Sequence, residues 1–256
     1  MLETLSQTTW AATLLLVTAR VGGIFLVAPV FSTSALPARL RVLMALVFAL
    51  GLVPAAGIAG VPADLWALAA AIGCELAVGA TVGYAVRLVF AGVQLGAAHV
   101  GHQMGLSLAE LYAGTSDAGG ATLRQFMFLL AVVVFLTIGG HREVIAALGR
   151  TFRAVPLAGF PAAEGILNMV VALLAASFVL AIKIAAPVLI TLLLVTVALG
   201  LVQRTVPQLN MFTVGIPARL LVGLVALAAG LAAFAGLIET ALAVTLGRID
   251  AWLGAL

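Results

Sequence analysis

Charged side chains are scarce in this 256-residue chain, and that scarcity excludes most soluble folds. Asp, Glu, Lys and Arg make up only 8% of the residues, whereas 64% are apolar and the mean hydropathy is +1.30. Soluble domains are about 25% charged and about 45–50% apolar. Because so few polar side chains cannot cover a water-facing surface, the sequence predicts an integral membrane or membrane-assembled protein.

Cysteines, basic clusters and common catalytic motifs are also lacking. The single cysteine, Cys74, excludes an internal disulfide and a cysteine metal cluster. The net charge is +3, but the arginines are scattered between apolar runs, so we expect no nucleic-acid partner. The chain has no H-E-x-x-H, G-x-S-x-G or P-loop motif, so we expect neither an enzyme nor a bound cofactor. No basic residue precedes the first apolar run, so we expect it to be retained rather than cleaved as a signal peptide.

Long apolar runs dominate the N-terminal part, and we expect five to seven such segments in the whole chain. The pattern predicts a first helix from Trp10 to about Val30 and a second from Pro37 to about Leu52. Pro54, Gly57, Gly60 and Pro62 indicate a turn. Asp64 is placed to cap a third helix that begins near Leu65.

No proline interrupts the stretch from Leu65 to about Leu108, which is longer than one bilayer crossing requires. We therefore expect a bend, a break or a hairpin near residues 87–96. Glycines recur four residues apart along the stretch, a spacing that lets helix backbones approach closely. The pairs are Gly79 with Gly83, Gly92 with Gly96, and Gly101 with Gly105.

The second half of the chain divides near its central prolines. Residues 112–120 are polar and glycine-rich and predict a loop, after which a helix runs from Leu123 to Ile138 and stops at Gly139-Gly140. A weakly amphipathic segment follows and ends at Pro156 and Pro161, which mark the best boundary. The remainder predicts a helical hairpin, with arms at 164–202 and 212–246 joined by the polar link 203–210.

An ordered set of residues resembles a known family over nearly the whole chain. The most specific run is Arg204, Pro207-Gln208-Leu209-Asn210, Phe212, Gly215 and Pro217. Further agreements are Arg20-Val21-Gly22, Ala28-Pro29, Glu75 with Gly79 and Gly83, Gln103-Met104-Gly105, and Gly140-His141. In this order they resemble the FliR family of flagellar biosynthetic proteins and its injectisome counterparts, the SctT group.

The resemblance implies an all-α, membrane-associated fold in which a FliP-like part, residues 1–160, precedes a FliQ-like helical hairpin, residues 161–256. It implies a single-copy subunit of the type III, flagellar, protein export gate in the bacterial inner membrane, at the flagellar basal body. Its partners would be FliP-like and FliQ-like subunits, an FlhB-like subunit, membrane lipid and the unfolded export substrates.

The resemblance also implies a plug, formed by a loop near 106–120 that projects into the channel. Its apolar contacts would come from Met104, Leu106, Leu108, Leu111 and Tyr112. The family's loop usually carries an Asp-Pro pair, whereas this chain has Thr115-Ser116-Asp117-Ala118.

A set of small and polar residues is expected at subunit interfaces: Glu75, Gly79, Gly83, Gly101, Gly105, Lys183, Arg204, Gln208 and Asn210. Glu75 lies deep in an apolar run, where a carboxylate belongs either to a proton relay or to a structural bond with Arg20, Arg87 or a neighbouring subunit. We favour the bond, because no second carboxylate lies on the same helix to continue a relay.

Other polar residues leave alternatives open. Lys183 could pair with Glu239 across the hairpin, or each could face a FliQ-like neighbour. His99 and His102 share a helix face, but a third metal ligand at suitable spacing is lacking, so polar packing is the simpler interpretation. A small secondary transporter is the rival function, although transporters usually show two related halves and the halves here differ.

Overall fold

The computed structural model describes residues 2–32, 37–57, 64–106, 119–159, 163–206 and 211–255. The long elements within these ranges are all α-helices, which confirms the all-α fold. They are α1 (Leu2–Val27), α2 (Ala38–Ala56), α3 (Leu65–Gln103), α4 (Gly119–Thr137), α5 (Gly140–Ala154), α6 (Ala163–Thr205) and α7 (Met211–Gly254).

Five of the described helices are long and apolar enough to cross a membrane, or six if α4 and α5 form one bent span. This agrees with the predicted five to seven segments. α3, α6 and α7 contain 39, 43 and 44 residues. At about 1.5 Å per residue they are roughly twice as long as a hydrocarbon core of about 30 Å, so one crossing does not account for their full length.

Two of the predicted helix boundaries are confirmed by backbone geometry. The Asp64 carboxylate accepts a hydrogen bond of 2.7 Å from the backbone N–H of Ala67, which is an N-cap interaction at the start of α3. Between α4 and α5, Gly139 has φ +76°, a left-handed conformation that favours glycine and ends the helical path.

Two other boundaries differ from the prediction. α1 begins at Leu2 and not near Trp10, because the apolar run marks only the membrane-compatible part of a longer helix. Pro54 does not start a turn, since α2 continues through it to Ala56 and is followed by Gly57 at φ +71°. A proline so close to the C-terminal end removes one backbone donor from a helix that already contains most of its turns.

Of the bend, break or hairpin expected near residues 87–96, the break and the hairpin are wrong. α3 is one continuous helix from Leu65 to Gln103, and the chain turns only at Met104 and Gly105, where φ is +84°. Length alone does not break a helix when its sequence contains no proline and its glycines pack against other helices.

The C-terminal hairpin is confirmed as two long antiparallel helices. A Cβ atom on Gly165, near the start of α6, would lie 3.2 Å from Trp252, near the end of α7. Further along, Lys183 of α6 lines the same groove as Leu237 of α7.

The chain folds into two compact units that do not follow sequence order. The first unit contains Met1–Leu88, Gly139–Leu174 and Leu242–Leu256, and the second contains Val89–Ile138 and Ala175–Ala241. In the second unit Phe90 packs against Phe128 and Phe135, with ring centroids 5.7 and 5.6 Å apart. The division at 160 concerns likeness to FliP and FliQ and stays a prediction.

Candidate functional site

Small residues bring the backbones of α1 and α3 into contact in the first unit. A Cβ atom on Gly79 would overlap the backbone carbonyl of Arg20, and one on Gly83 would lie 3.1 Å from the Cα of Ile24. From the other side, a Cβ on Gly23 would come within 2.7 Å of the backbone nitrogen of Ala80. The close packing predicted from the glycine spacing is therefore present here, inside the chain.

This contact encloses an ion pair between Arg20 of α1 and Glu75 of α3, whose side chains are both fully buried. The Nε–H of Arg20 donates to Oε2 of Glu75, and Nη2 donates to Oε1 at 3.1 Å. The two groups therefore meet as a bidentate pair, the geometry that an arginine fork and a carboxylate favour.

The other atoms of the pair bind α5 and the turn that follows it. Arg20 donates from Nη1 to the hydroxyl of Thr151 at 3.3 Å and from Nη2 to the carbonyl of Val155 at 3.0 Å. Its guanidinium carbon lies 4.4 Å from the centroid of the Phe152 ring. Glu75 accepts a hydrogen bond of 2.8 Å from the backbone N–H of Ala158, a non-glycine residue at φ +63°.

The ion pair thus joins four segments of the first unit: α1, α3, α5 and residues 155–158. Its cationic side meets a carbonyl oxygen, and its anionic side meets an N–H group. Of the bonds considered for Glu75, the one to Arg20 is present, and Arg87 is exposed. Arg20 and Ala158 occupy both carboxylate oxygens, which supports the structural interpretation over a proton relay.

The residues where α3 ends form a second feature, in the second unit. Met104 is 1% exposed and lies against α7, since a Cβ atom on Gly223 would be 2.8 Å from the Met104 Cγ. Gly105 turns the chain beside Ile216, and Gly101 is buried one turn earlier. Of the other residues predicted for the plug, Leu106 is half-buried, whereas Leu108, Leu111 and Tyr112 lie outside the described residues.

Lys183 and Glu239 do not form an ion pair across the hairpin. Lys183 and Glu239 are both exposed, and the ion pairs found in the described parts of the chain are Arg20–Glu75 and Arg150–Asp250. Arg204 is exposed at the end of α6, and Gln208 and Asn210 lie outside the described residues. Subunit contacts at the predicted interface positions stay predictions.

The two histidines of α3 are both exposed. His99 donates from Nδ1 to the carbonyl of Leu95 at 2.8 Å, a bond within its own helix that agrees with polar packing.

Nothing in the sequence marks Thr151, Val155 and Ala158 as partners of the ion pair. They lie 131, 135 and 83 residues from the side chains that they contact. Two of the three contribute backbone atoms, which every residue has, so residue type gave no signal.

Comparison with known proteins extends over most of the chain. The family described as "Bacterial export proteins, family 1" matches residues 11–244. Flagellar biosynthetic protein FliR of Escherichia coli K12 is 32% identical over 214 residues, which cover 82% of this chain and 80% of that protein. FliR of Pectobacterium carotovorum is 30% identical, with 78% and 77% covered, and FliR of Caulobacter vibrioides is 28% identical, with 86% and 88% covered. The chain belongs to family 1 of the bacterial export proteins and is a membrane component of the flagellar protein export apparatus, of the FliR type.

Proposed function

We propose that this chain is a single-copy subunit of the flagellar type III export gate in the bacterial inner membrane. With FliP-like and FliQ-like subunits, and beside an FlhB-like subunit, it forms a helical channel for unfolded flagellar proteins. Its role is structural, without catalysis and without a cofactor. The observation that carries the proposal is the family match over residues 11–244.

Large exposed apolar surfaces on α6 and α7 support a place inside an assembly. The side chains of Leu194, Leu201, Leu221 and Val225 are between 63% and 70% exposed. Large apolar side chains exposed in this number are covered by protein or by lipid. Where apolar helices extend beyond the hydrocarbon layer, their side chains face water unless other protein covers them.

Within this proposal, the hairpin tip around Arg204, Gln208 and Asn210 contacts neighbouring subunits. The segment after Gly105 serves as the plug. Three residues predicted at a subunit interface already have contacts within the chain. Gly79 and Gly83 pack against α1, and the Glu75 carboxylate accepts a hydrogen bond from Ala158.

The assembly can be tested by co-expression. A tagged copy of the chain is produced with FliP-like and FliQ-like proteins from the same bacterium, extracted in mild detergent and analysed by native mass spectrometry. We expect a large complex with one copy of this chain and several of each partner. A well-folded chain that elutes alone or as a homo-oligomer would contradict the proposal and would redirect work towards small-molecule transport.

The plug has a separate test. Shortening the segment between Ser107 and Gly120 should leave the complex intact and make it leak ions, measured as potassium efflux from proteoliposomes. Vesicles that hold potassium as tightly as those with the unaltered complex would refute the plug assignment without affecting the assembly.

A further inference from the structure

The side chain of Met104, where α3 ends, lies in a socket on α7 that exists because residue 223 is glycine. A Cβ atom on Gly223 would lie 2.8 Å from Cγ, 2.9 Å from Cε and 3.0 Å from Sδ of Met104. Carbon atoms in favourable contact are about 3.5–4.0 Å apart. Met104 therefore fills the space that a side chain at position 223 would occupy, and both residues are buried.

A second contact lies where the chain turns away from α3. The Met104 N–H donates to the Val100 carbonyl at 2.9 Å. The Gly105 N–H donates to the His102 carbonyl at 3.1 Å. Gly105 has φ +84°, and a Cβ atom there would lie 3.4 Å from Cγ2 of Ile216 on α7. α3 thus ends in a hydrogen-bonded turn that lies against α7.

Together the two contacts fix both the position and the direction of the chain as it leaves α3. Ile216 and Gly223 are seven residues apart, so they lie on one face of α7, roughly 10 Å from each other along the helix axis. One contact would leave the end of α3 free to pivot, whereas two contacts at this separation prevent it. Methionine is unbranched and flexible, so the defined position of Met104 comes from the shape of the socket.

We propose that Gly223 is a positioning residue for the closed channel, because it seats Met104 and thereby sets the point from which the next segment of the chain starts. The inference rests on the proposed function, in which the segment after Gly105 is the plug. A plug closes a pore only if its base is held in place, since a base that shifts carries the whole segment with it. A side chain at position 223 removes the socket and should loosen the closure.

Gly223→Ala adds one carbon atom inside the socket, and Gly230→Ala is its matched control. Gly230 lies seven residues further along the same face of α7, and a Cβ atom there would have nothing within 4 Å. Potassium efflux is measured from proteoliposomes that contain each variant in complex with FliP-like and FliQ-like subunits. Gly223→Ala should leak at least about fivefold faster than the unaltered complex, the lower end of what overpacking does to an equilibrium. Gly230→Ala should leak no faster.

A reversible cross-link tests the same contact within one assembled complex, and it also serves if Gly223→Ala fails to assemble. Met104→Cys and Gly223→Cys are combined in a Cys74→Ala background with cysteine-free partners. Because the Met104 Cγ lies 2.8 Å from the Cβ position of residue 223, the two Cβ atoms fall within the roughly 4.5 Å that a disulfide spans. Oxidation should form the disulfide and give vesicles as tight as those with the unaltered complex. Reduction should raise the efflux, because neither thiol replaces the Met104 side chain.

This inference and the plug assignment can fail separately. Equal efflux from the oxidised and reduced forms, or failure of the disulfide to form, would overturn the role of Gly223. A leak from the variant shortened between Ser107 and Gly120, together with tight vesicles from Gly223→Ala, would keep the plug and remove Gly223 as its positioning residue. Tight vesicles from the shortened variant would instead show that the plug assignment itself is wrong.

Discussion

At the scale of single residues, the Arg20–Glu75 pair shows why the two charges of a buried ion pair cannot simply be exchanged. Arg20 donates to the Val155 carbonyl and Glu75 accepts from the Ala158 N–H, so each charge has a backbone group of the matching kind. Exchanging the two side chains would set a carboxylate against a carbonyl oxygen and a guanidinium against an N–H. The backbone at 155–158 therefore distinguishes the native pair from its reverse.

Replacing Arg20 with Ala should lower stability by about 3–5 kcal/mol, because it leaves the Glu75 charge buried without its counterion. The reversed pair Arg20→Glu with Glu75→Arg should not restore stability. Thermal unfolding in detergent measures both variants. Arg150→Ala is the control, since Arg150 and Asp250 are 40% and 48% exposed and such a pair contributes about 0–1 kcal/mol. Full recovery in the reversed double variant would show that charge balance alone matters.

At the scale of helices, α3 depends on glycine at some positions and not at others. Gly79 lies against the backbone of α1, whereas Gly73, on the same helix, is exposed and has nothing within 4 Å of its Cβ position. The glycine spacing predicted that helices pack closely here. It could not identify α1 as the partner, because spacing carries no information about the opposite surface.

Gly79→Ala should lower the free energy of unfolding by about 1–3 kcal/mol, the usual cost of overpacking a core. The new Cβ would overlap the backbone of α1, which cannot move aside as a side chain would. Gly73→Ala should be neutral or stabilise by up to about 1 kcal/mol through helix propensity. The apparent melting temperatures of the two variants give the comparison. Equal melting temperatures would mean that α1 and α3 do not approach as closely as described.

At the scale of the whole molecule, the sequence predicted the helix inventory well but gave no information on which stretches of the chain group together in space. Apolar runs, prolines and the Asp64 cap gave most helix boundaries. Each compact unit combines stretches that are distant in sequence; the first, for example, contains both Met1–Leu88 and Leu242–Leu256. Which stretches pack together depends on long-range contacts that local sequence patterns do not encode. For the same reason, the apolar run around Glu75 predicted that its carboxylate is buried, but it could not show that the bonding partners are residues 20 and 158.

The uncharged stretch 220–238 of α7 is long enough for one bilayer crossing, and it predicts which positions react from water. In a Cys74→Ala background, Val225→Cys should resist a membrane-impermeant maleimide in native membranes, because residue 225 lies inside the uncharged stretch 220–238. Arg204→Cys, at the exposed C-terminal end of α6, should react from one side of the membrane. Denaturation in detergent should make both react, as a control. Equal labelling of the two in intact membranes would contradict a membrane crossing by residues 220–238.

Because the residues that bond to the ion pair are far apart in the sequence, the site is completed only some time after Glu75 has been synthesised. Glu75 and Ala158 are 83 residues apart, so at about 5–20 residues per second the ribosome needs roughly 4–17 s to deliver the second after the first. During that interval Arg20 and Glu75 can meet, but the backbone groups that complete their coordination do not yet exist. The newly inserted N-terminal helices then form an unfinished structure, and a chain truncated before residue 155 keeps it in that state.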